Sequence, residues 1–526
     1  RRKVLKIVTS KALIGEKIYF VALVLLAASL PLSNFMISVS QFMLAAGWLL
    51  SSKPWQRTRQ FFRVPSAWMI AGIYILFLIG LIYSANLEHG LKELRIKLPL
   101  LILPFMISTG PPLSRRQWNY VIGFFIAAVL AGSFISTYIL ITSDVLDTRD
   151  ISPFISHIRF GLMLSLAFFA LLYFSWKAMM WTMKIAMVIP AIWILTFLIL
   201  LESVTGLGIT IILGIGMLLY LIFSKGKPWI RIAGITGLVV LALFGFLFAS
   251  QVVHEELVAP DVDFSSLEDT TARGNPYFHD TLSTWHENGH YIYIYISEKE
   301  LKEAWNKRSD IPYSGYDEKG QELKYTLIRF LNSKGLRKDA RGVNSLSDEE
   351  IKAVERGIAN VNYIQRSSLR ARLSQIIYEY KNYQQQGNPS GHSVMQRLEY
   401  WKAAVGIIIK NPVKGVGTGD ITDEFHREYQ EMDSMLEEQF RLQAHNQYLR
   451  VGATLGLAGL ALFLLMIFYP VFAARAWEEA LFMVFLIIVL LSMITEDTLE
   501  TQVGATFFAF FYSFLLWGRR SIFTKD

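Results

Sequence analysis

Residues 229–249 read WIRIAGITGLVVLALFGFLFA, and this stretch decides the class of fold. Arg231 is its only charged residue, and a helix of this length is about 30 Å long, which matches the apolar core of a bilayer. Comparable runs recur along the chain, which is 53% hydrophobic and has a mean hydropathy of +0.36. The pattern predicts an all-α polytopic membrane protein of about twelve transmembrane helices. The predicted spans are residues 17–33, 34–51, 66–84, 92–109, 117–142, 158–175, 183–201, 204–223, 229–249, 446–472, 478–495 and 501–517.

The chain changes character after the ninth span, because most of its charged side chains lie between residues 251 and 444. No run in that segment is long enough to cross a bilayer, so a large, mainly helical loop is predicted between spans nine and ten. Three regions follow: an N-terminal membrane region over residues 1–250, a loop domain over 251–445 and a C-terminal membrane region over 446–526.

Charged residues on the connections predict the orientation of the spans. One side carries Arg1, Arg2, Lys3, Lys6, Lys53, Arg57, Arg59, Arg63, Arg115, Arg116, Lys177, Lys184, Lys225, Lys227, Arg231, Arg519 and Arg520. The other side carries Asp144, Asp147, Asp150, Glu202, Glu496, Asp497, Glu500 and the long loop. Basic residues favour the cytoplasmic side, so both termini are predicted to be cytoplasmic and the loop to lie outside. The same placement accounts for the net charge of +8 without a nucleic-acid partner.

Two further features of the composition bound the function. The chain has no cysteine, which excludes a disulfide, a thiol nucleophile and a cysteine zinc site. It begins at Arg1 without a cleavable signal pattern, so the first span is predicted to serve as an uncleaved anchor.

Short-range patterns predict local order within the loop. Ser297 with Glu300 and Ser347 with Glu350 have capping-box spacing ahead of helical patterns. Further helices are predicted near residues 346–384, 392–410 and 421–443. The run His286-Glu287-Asn288-Gly289-His290 matches a zinc motif, but that motif needs a helix, and Asn-Gly before alternating Tyr and Ile favours a hairpin.

Polar residues around the end of the loop form the candidate site. Arg397 lies on a predicted helix that leads into the glycine-rich stretch 415–419, and His445-Asn446 opens the tenth span. Closely spaced glycines such as Gly417 either make a tight loop or expose backbone N–H groups to a diphosphate, and both interpretations stay open. Arg159 opens the sixth span on the same side, where an arginine either snorkels to the surface or binds an anionic headgroup.

These residues resemble a known family. The stretches Arg397-Leu-Glu-Tyr-Trp401-Lys-Ala-Ala, Asn411-Pro-Val-Lys-Gly-Val-Gly-Thr-Gly419 and Ala444-His-Asn-Gln-Tyr-Leu-Arg-Val-Gly-Ala-Thr-Leu-Gly-Leu457 are similar, in order and spacing, to the C-terminal signature of the O-antigen ligase and polymerase superfamily. The loop, with Lys324-Tyr-Thr-Leu-Ile-Arg-Phe330, resembles the Bacteroidetes-type members.

The resemblance implies a metal-independent, inverting glycosyltransferase with a C-type membrane fold and no cofactor. It would transfer a polysaccharide from undecaprenyl diphosphate to a sugar hydroxyl of lipid A-core, at the periplasmic face of the bacterial inner membrane. His445 would match the base and Arg397 the arginine that engages the diphosphate, with Arg159, Gly417 and Asn446 as further diphosphate contacts. The family commonly has a Ser-Arg pair near the eighth span, whereas this chain has Ser203-Val204.

Three other functions fit parts of the sequence. An O-antigen polymerase uses the same kind of donor, and a ligase that glycosylates protein would carry the same motifs. A transporter or a receptor with an ectodomain is a different class, for which Pro104 and Pro190 would mark broken helices. Few charges are placed in the middle of a span, which argues against an ion-coupled transport path.

Overall fold

The structure is a computed structural model that describes residues 2–51, 54–143, 151–225, 227–258, 261–283, 285–364, 369–391 and 393–519. The chain divides into two compact units. One, here called the membrane unit, comprises residues 1–220 and 396–526. The other, here called the loop unit, comprises residues 221–395 and so also contains the ninth predicted span. The predicted domain limits at residues 250 and 445 stay predictions about where the chain leaves the membrane.

Helices dominate both units. The first eleven are α1 (Arg2–Ser29), α2 (Asn34–Ser51), α3 (Pro54–Phe61), α4 (Pro65–Ile82), α5 (Leu87–Lys97), α6 (Pro99–Thr109), α7 (Arg115–Thr142), α8 (His157–Lys177), α9 (Trp181–Leu200), α10 (Val204–Lys225) and α11 (Pro228–Leu257). After a hairpin of β1 (His286–Glu287) and β2 (His290–Tyr291) come α12 (Glu298–Trp305), α13 (Leu323–Ser333), α14 (Ala340–Asn344), α15 (Asp348–Glu355), α16 (Leu369–Gln386), α17 (Ser393–Lys410), α18 (Ile421–Glu431), α19 (Gln447–Ala473), α20 (Ala480–Thr495) and α21 (Gln502–Trp517).

The described residues contain nine helices that are long and apolar enough to span a membrane. They correspond to the predicted spans one to three and five to ten. The last two predicted spans are α20 and α21, which are apolar but shorter. The class of an all-α polytopic membrane protein is therefore confirmed.

The predicted fourth span, residues 92–109, is wrong as one continuous helix. The chain forms two helices of 11 residues each, α5 and α6, which meet at Leu98. Pro99 has no backbone N–H to donate and occupies the first turn of α6, where that loss costs little. The break allows α5 to carry Glu93 and Lys97 into the interior of the protein.

The helix α21 lies in the core of the membrane unit, because every residue from Val503 to Trp517 is buried. Its aromatic side chains pack edge to face with their neighbours, as in the contact of Phe511 with Phe125 at 4.7 Å between ring centroids. Aromatic pairs of this kind add about 0.5–1.5 kcal/mol beyond the burial of their area. The helix is thus enclosed by its neighbours in the membrane unit, among which α6 and α20 pack against it.

The loop unit has its own apolar core, centred on the fully buried Trp305 and Phe330. In the hairpin, His286 pairs with Tyr291 and Glu287 with His290, so the zinc-like motif is not on a helix and the hairpin prediction is confirmed. The regular strands cover two residues on each side of the turn. Beyond them the two arms are still joined by the hydrogen bond from Ile292 N–H to Trp285 O and by an antiparallel bridge between Phe278 and Ile296.

One of the two predicted capping boxes is confirmed. Ser347 and Glu350 cap each other's backbone at the start of α15. At α12 the helix begins as predicted after Ser297, but that side chain makes no cap. The carboxylate of Glu300 instead accepts hydrogen bonds from Thr271, Asn275 and the backbone of Ala340, which tie the preceding segment to the helix.

Several helix boundaries also differ from the prediction. The stretch 346–384 contains two helices, α15 and α16, and the predicted helix 421–443 ends at Glu431. Residues 432–446 are irregular apart from one short 3-10 turn, and they lead the chain to the candidate site.

Candidate active site

The carboxylate of Glu496 joins the two residues that the sequence predicts to be catalytic. Arg397, on α17, places Nη2 2.9 Å from Glu496 Oε1. His445, just before α19, places Nδ1 3.7 Å from Glu496 Oε2. The guanidinium and the imidazole are about one-third exposed, so both are reachable by a ligand. Residues 48 positions apart in the chain are therefore brought to one carboxylate by the fold.

The backbone of His445 has a left-handed conformation, with φ of 45°. A residue other than glycine adopts this conformation at a cost of about 1 kcal/mol or more, and such residues cluster at functional sites. The backbone N–H of His445 donates to Asp497 Oδ2 at 3.1 Å, which helps to hold the turn. The direction of the imidazole is thus set by a strained turn and not by a regular helix.

Asn446 supports this turn as the N-cap of α19. Its side-chain oxygen accepts from the backbone N–H groups of Tyr448 and Leu449, each at 3.0 Å, and its amide donates to the carbonyl of Ile494 at 2.9 Å. Asn446, which the sequence predicts to contact the diphosphate, therefore already uses its side-chain oxygen and one amide hydrogen within the protein. Its role in this structure is to fix His445 next to the segment that carries Glu496.

Tyr400 packs against the imidazole of His445, with 5.5 Å between the ring centroids. Its hydroxyl donates to the carbonyl of Phe440 at 2.9 Å, and burial raises the pKa of Tyr400 to about 12. The phenol therefore stays neutral and keeps its position. With Glu496 near one nitrogen and Tyr400 against the ring, the imidazole has a defined orientation.

Arg159 belongs to the same cluster of charges. It lies in the first turn of α8, donates from Nη1 to Ser156 Oγ at 3.0 Å and interacts electrostatically with Glu496 and Asp497. Its Nε is buried and has no hydrogen-bond partner among the described residues. Such an unpaired donor is costly to bury unless something binds it. The structure thus brings Arg159, Arg397 and His445 together around Glu496.

Beside this site lies a buried group of four charges, here called the ion cluster, which the sequence did not predict. Lys97 Nζ is 2.5 Å from both Glu93 Oε2 and Glu500 Oε2. Arg450 contacts the same two carboxylates, at 3.4 Å to Glu93 and 3.2 Å to Glu500. The two cations are only 1% and 2% exposed. Charges at this depth persist because each one is paired.

Burial and neighbouring charges set the ionisation of the acidic residues here. Although burial opposes ionisation, Arg450 and Lys97 hold the pKa of Glu500 well below its usual range. Burial raises the pKa of Asp497, and Arg450 offsets only part of that effect. Glu500 is therefore a permanent anion within the ion cluster, whereas Asp497 is the more easily protonated of the two.

The site and the ion cluster together are balanced in charge. The four cations Lys97, Arg159, Arg397 and Arg450 face the four carboxylates Glu93, Glu496, Asp497 and Glu500. With all eight ionised the net charge is zero. An anionic ligand can bind the unpaired Nε of Arg159 directly, but to bind Arg397 it has to displace Glu496, and the partly exposed Arg397 makes this pair accessible.

The helix α19 is interrupted at Gly456, whose φ of 69° and ψ of 178° are not helical. Inside a membrane the freed backbone groups need partners within the protein. Residues 411–419 supply them. Val416 N–H donates to Ala453 O at 3.1 Å, Gly417 N–H to Thr454 O at 2.9 Å, and Leu457 N–H to Pro412 O at 2.8 Å. The glycine-rich loop thus supplies hydrogen-bond partners for the backbone groups that the break in α19 leaves free.

This arrangement occupies the amide of Gly417. Its N–H is engaged by Thr454, and a Cβ on Gly417 would come within 2.5 Å of Ser84 Oγ on the segment that follows α4. The next residue, Thr418, donates its hydroxyl to Phe77 O at 2.7 Å. As folded, Gly417 has no free amide to offer a diphosphate, and its position favours the packing interpretation.

The break in α19 is expected to be sensitive to added volume. In Gly456→Ala the new Cβ would lie 2.2 Å from Val413 O at a left-handed backbone, so the variant should lose about 1–3 kcal/mol or more of stability. Thermal unfolding of the purified protein in detergent measures this effect. Gly208→Ala is the matched control, because nothing lies within 4 Å of its Cβ. Equal thermal unfolding midpoints for the two variants would contradict close packing of residues 411–419 against the break in α19.

The segment where the family commonly has a Ser-Arg pair lies next to the start of α8. A Cβ on Gly161 would come 2.4 Å from Ser203 Oγ, and a Cβ on Gly206 would come 2.9 Å from the Cα of Gly161. Val204 is largely exposed. Arg159 stands two residues before this close contact, so a cation is present near the place where the family arginine is missing.

The comparisons with known proteins bear on this site. A search of curated proteins gave no match to the chain. A family model described as O-antigen ligase matches residues 358–464, which include Arg397, the glycine-rich loop, His445 and α19 from its start to beyond its break at Gly456. The match confirms the resemblance over residues 358–464, where this multi-pass membrane protein carries a segment similar to the O-antigen ligase domain, and it supports the O-antigen ligase and polymerase superfamily.

Proposed function

We propose that the protein is an O-antigen ligase. It transfers a polysaccharide from undecaprenyl diphosphate to a sugar hydroxyl of lipid A-core, by metal-independent inverting transfer. The reaction takes place at the periplasmic face of the bacterial inner membrane. The Bacteroidetes type of the loop is part of the same proposal.

One observation carries the proposal. Glu496 contacts Arg397 and His445, and Arg159 interacts with the same carboxylate. A glycosyl transfer from a lipid diphosphate needs a base for the acceptor hydroxyl and cations for the leaving group, held in one place. The site has the imidazole and two guanidiniums, and both kinds of group are partly exposed or unpaired.

The chemistry follows from these groups. The Nε2 atom of His445 takes the proton of the acceptor hydroxyl, whose oxygen attacks the anomeric carbon from the face opposite the diphosphate. The bond between that carbon and the diphosphate oxygen breaks, and undecaprenyl diphosphate leaves with the electron pair. Arg397 and Arg159 offset the negative charge that develops on the leaving group. No nucleotide is needed, because the diphosphate is already a good leaving group.

Glu496 has two roles in this scheme. It orients the imidazole through Nδ1, as the third member of a base assembly does, and stabilises the imidazolium that forms. It also occupies Arg397 until the donor arrives. Its 3.7 Å separation from His445 is longer than a hydrogen bond, and such contacts often shorten only when substrate is bound. When the diphosphate binds Arg397, the carboxylate of Glu496 loses its pairing with Arg397 and can move closer to His445 Nδ1.

The experiment that tests the proposal is a gel of lipopolysaccharide from a strain that lacks the protein. Bare lipid A-core, with the polymer left on its lipid carrier, is the expected result. Core with a single repeat would indicate a polymerase, and unchanged lipopolysaccharide with an unmodified glycoprotein would indicate a protein ligase. Solute flux in proteoliposomes without a glycan donor would indicate a transporter.

Glu496→Gln should separate turnover from donor binding. The amide cannot stabilise an imidazolium, so kcat should fall about tenfold to a hundredfold. It also competes less well than a carboxylate for Arg397, so the KM for the donor should stay level or fall. Steady-state transfer by the protein in liposomes measures both constants. A higher KM with kcat unchanged would refute this role.

Arg159→Ala should lower kcat/KM for the donor about tenfold, because one of two cations near the diphosphate is lost. The matched control is Arg116→Ala, which removes an exposed arginine from the first turn of α7. Transfer kinetics at two salt concentrations measure the effect. Identical kinetics for wild type and Arg159→Ala would assign Arg159 to snorkelling alone.

A further inference from the structure

A second polar site lies at the membrane face opposite to His445. The helix α8 begins at the candidate active site, with Arg159 in its first turn, and ends at Lys177 after 21 residues. That length is about 30 Å, the thickness of the apolar core of a bilayer. Likewise α21 begins just after Glu500 and ends at Trp517. The far end of α8 is therefore one bilayer thickness away from the candidate active site, and the far end of α21, a helix of 16 residues and about 24 Å, lies toward the same face.

Two adjoining cavities open between these far ends and the start of α7. Their volumes are about 170 and 180 Å³, and they share Trp118, Tyr173 and Arg519 as walls. Arg115 and Lys177 line the second cavity. The backbone N–H of Leu113 donates to Gly518 O at 2.9 Å, which ties the end of α21 beside the start of α7.

The charges around the cavities favour an anion. Three cations, Arg115, Lys177 and Arg519, line them together with one carboxylate, Glu479. Arg115 stands at the first position of α7, where the helix dipole is already positive. A cation there is unfavourable in the absence of a negative partner. The site thus gathers positive charge from three helix ends into one place.

The aromatic residues at this end indicate the depth of the cavities in the membrane. Trp176 and Trp181 are more than half exposed on the same helix ends, and Trp477 is nearly half exposed. Tryptophan with this exposure is typical of the boundary between headgroups and acyl chains. The walls also combine apolar and polar parts, because Met183 and Met187 line the second cavity together with Arg115, Lys177 and Arg519. A ligand with a phosphate and an acyl chain matches such walls.

We infer that the cavities between the ends of α7, α8 and α21 bind the headgroup of an anionic phospholipid. The phosphate is placed among Arg115, Lys177 and Arg519, and an acyl chain lies along the methionines of α9. Basic pockets between helices at the cytoplasmic surface recognise anionic headgroups in this manner. On the proposed topology this face is cytoplasmic. The inference does not depend on the glycosyl transfer at the other face.

The test measures lipid binding by native mass spectrometry of the whole protein, extracted in a neutral detergent. Phosphatidylglycerol should bind at least tenfold more tightly than phosphatidylcholine or phosphatidylethanolamine. Each basic residue near an anionic lipid contributes about fivefold in affinity, so the triple variant Arg115→Gln, Lys177→Gln, Arg519→Gln should weaken phosphatidylglycerol binding about a hundredfold.

A matched variant changes three other exposed arginines to glutamine: Arg59 and Arg63, on the same predicted face, and Arg475, in the connection between the tenth and eleventh predicted spans. It should bind phosphatidylglycerol within a few-fold of wild type. Equal binding of all three lipids by wild type would overturn the inference, as would equal losses in the two triple variants. Displacement of the lipid by millimolar inorganic phosphate would assign the cavities to a free anion and also overturn it.

Discussion

Replacing His445 by alanine is expected to abolish glycan transfer while the protein remains folded. A positioned general base contributes about 10²–10⁴-fold to a rate, and His445 is an imidazole that the structure places beside Glu496. Transfer is measured with the purified variant in liposomes that contain donor and acceptor. Membrane insertion and the thermal midpoint are measured on the same preparation.

Two controls separate the base from the backbone. His445→Asn retains a residue that tolerates the left-handed conformation, so it should fold as well as wild type and still fail in transfer. His426→Ala changes an exposed histidine on α18 and should leave transfer unchanged. Activity that is lost in His445→Ala but kept in His445→Asn would show that the turn matters and the imidazole does not.

Arg397→Lys is expected to lower kcat/KM for the donor about a hundredfold, even though the charge is kept. A guanidinium can grip two phosphate oxygens with a planar fork, whereas an ammonium is a point charge on a flexible chain. The lysine can still pair with Glu496, so the fold should be preserved. Steady-state transfer at varied donor concentration measures the change.

The matched control for this change is Arg427→Lys on α18, an exposed arginine that pairs with Glu424 one turn away. It should transfer at the wild-type rate. Wild-type kinetics in Arg397→Lys would mean that the site needs only positive charge there and would remove the argument for a bidentate grip on the diphosphate.

Much of the fold could be predicted from the sequence because a membrane limits the choices. Backbone groups in lipid must be satisfied within a helix, so apolar runs of sufficient length become helices wherever they occur. The failure at residues 92–109 has a physical reason. Glu93 and Lys97 stand at the start of the predicted span and look like an ordinary polar flank. They turn inward instead, where Lys97 pairs with Glu500 and Glu93 with Arg450, both far away in the chain.

The candidate site could be predicted only in part. Arg397 and His445 stand in recognisable stretches, and Arg159 was suggested by its side of the membrane. From the sequence, Glu496 indicates only the orientation of the spans, because nothing in its neighbourhood links it to an arginine 99 residues earlier. The ion cluster was missed for the same reason, since Lys97 and Glu500 are separated by 403 positions. A charged residue inside or beside a span, such as Arg450, was the available signal.

The bonds between the glycine-rich loop and the interrupted α19 have a mechanical consequence. Arg397 lies on the helix that runs into that loop, and His445 directly precedes the helix to which the loop is bonded. The two segments are fastened once by the carboxylate of Glu496 and again by backbone bonds farther along. The two segments are therefore held in a fixed position relative to each other. On the proposed function, the backbone bonds would keep the segments of Arg397 and His445 together even while the donor displaces Glu496 from Arg397.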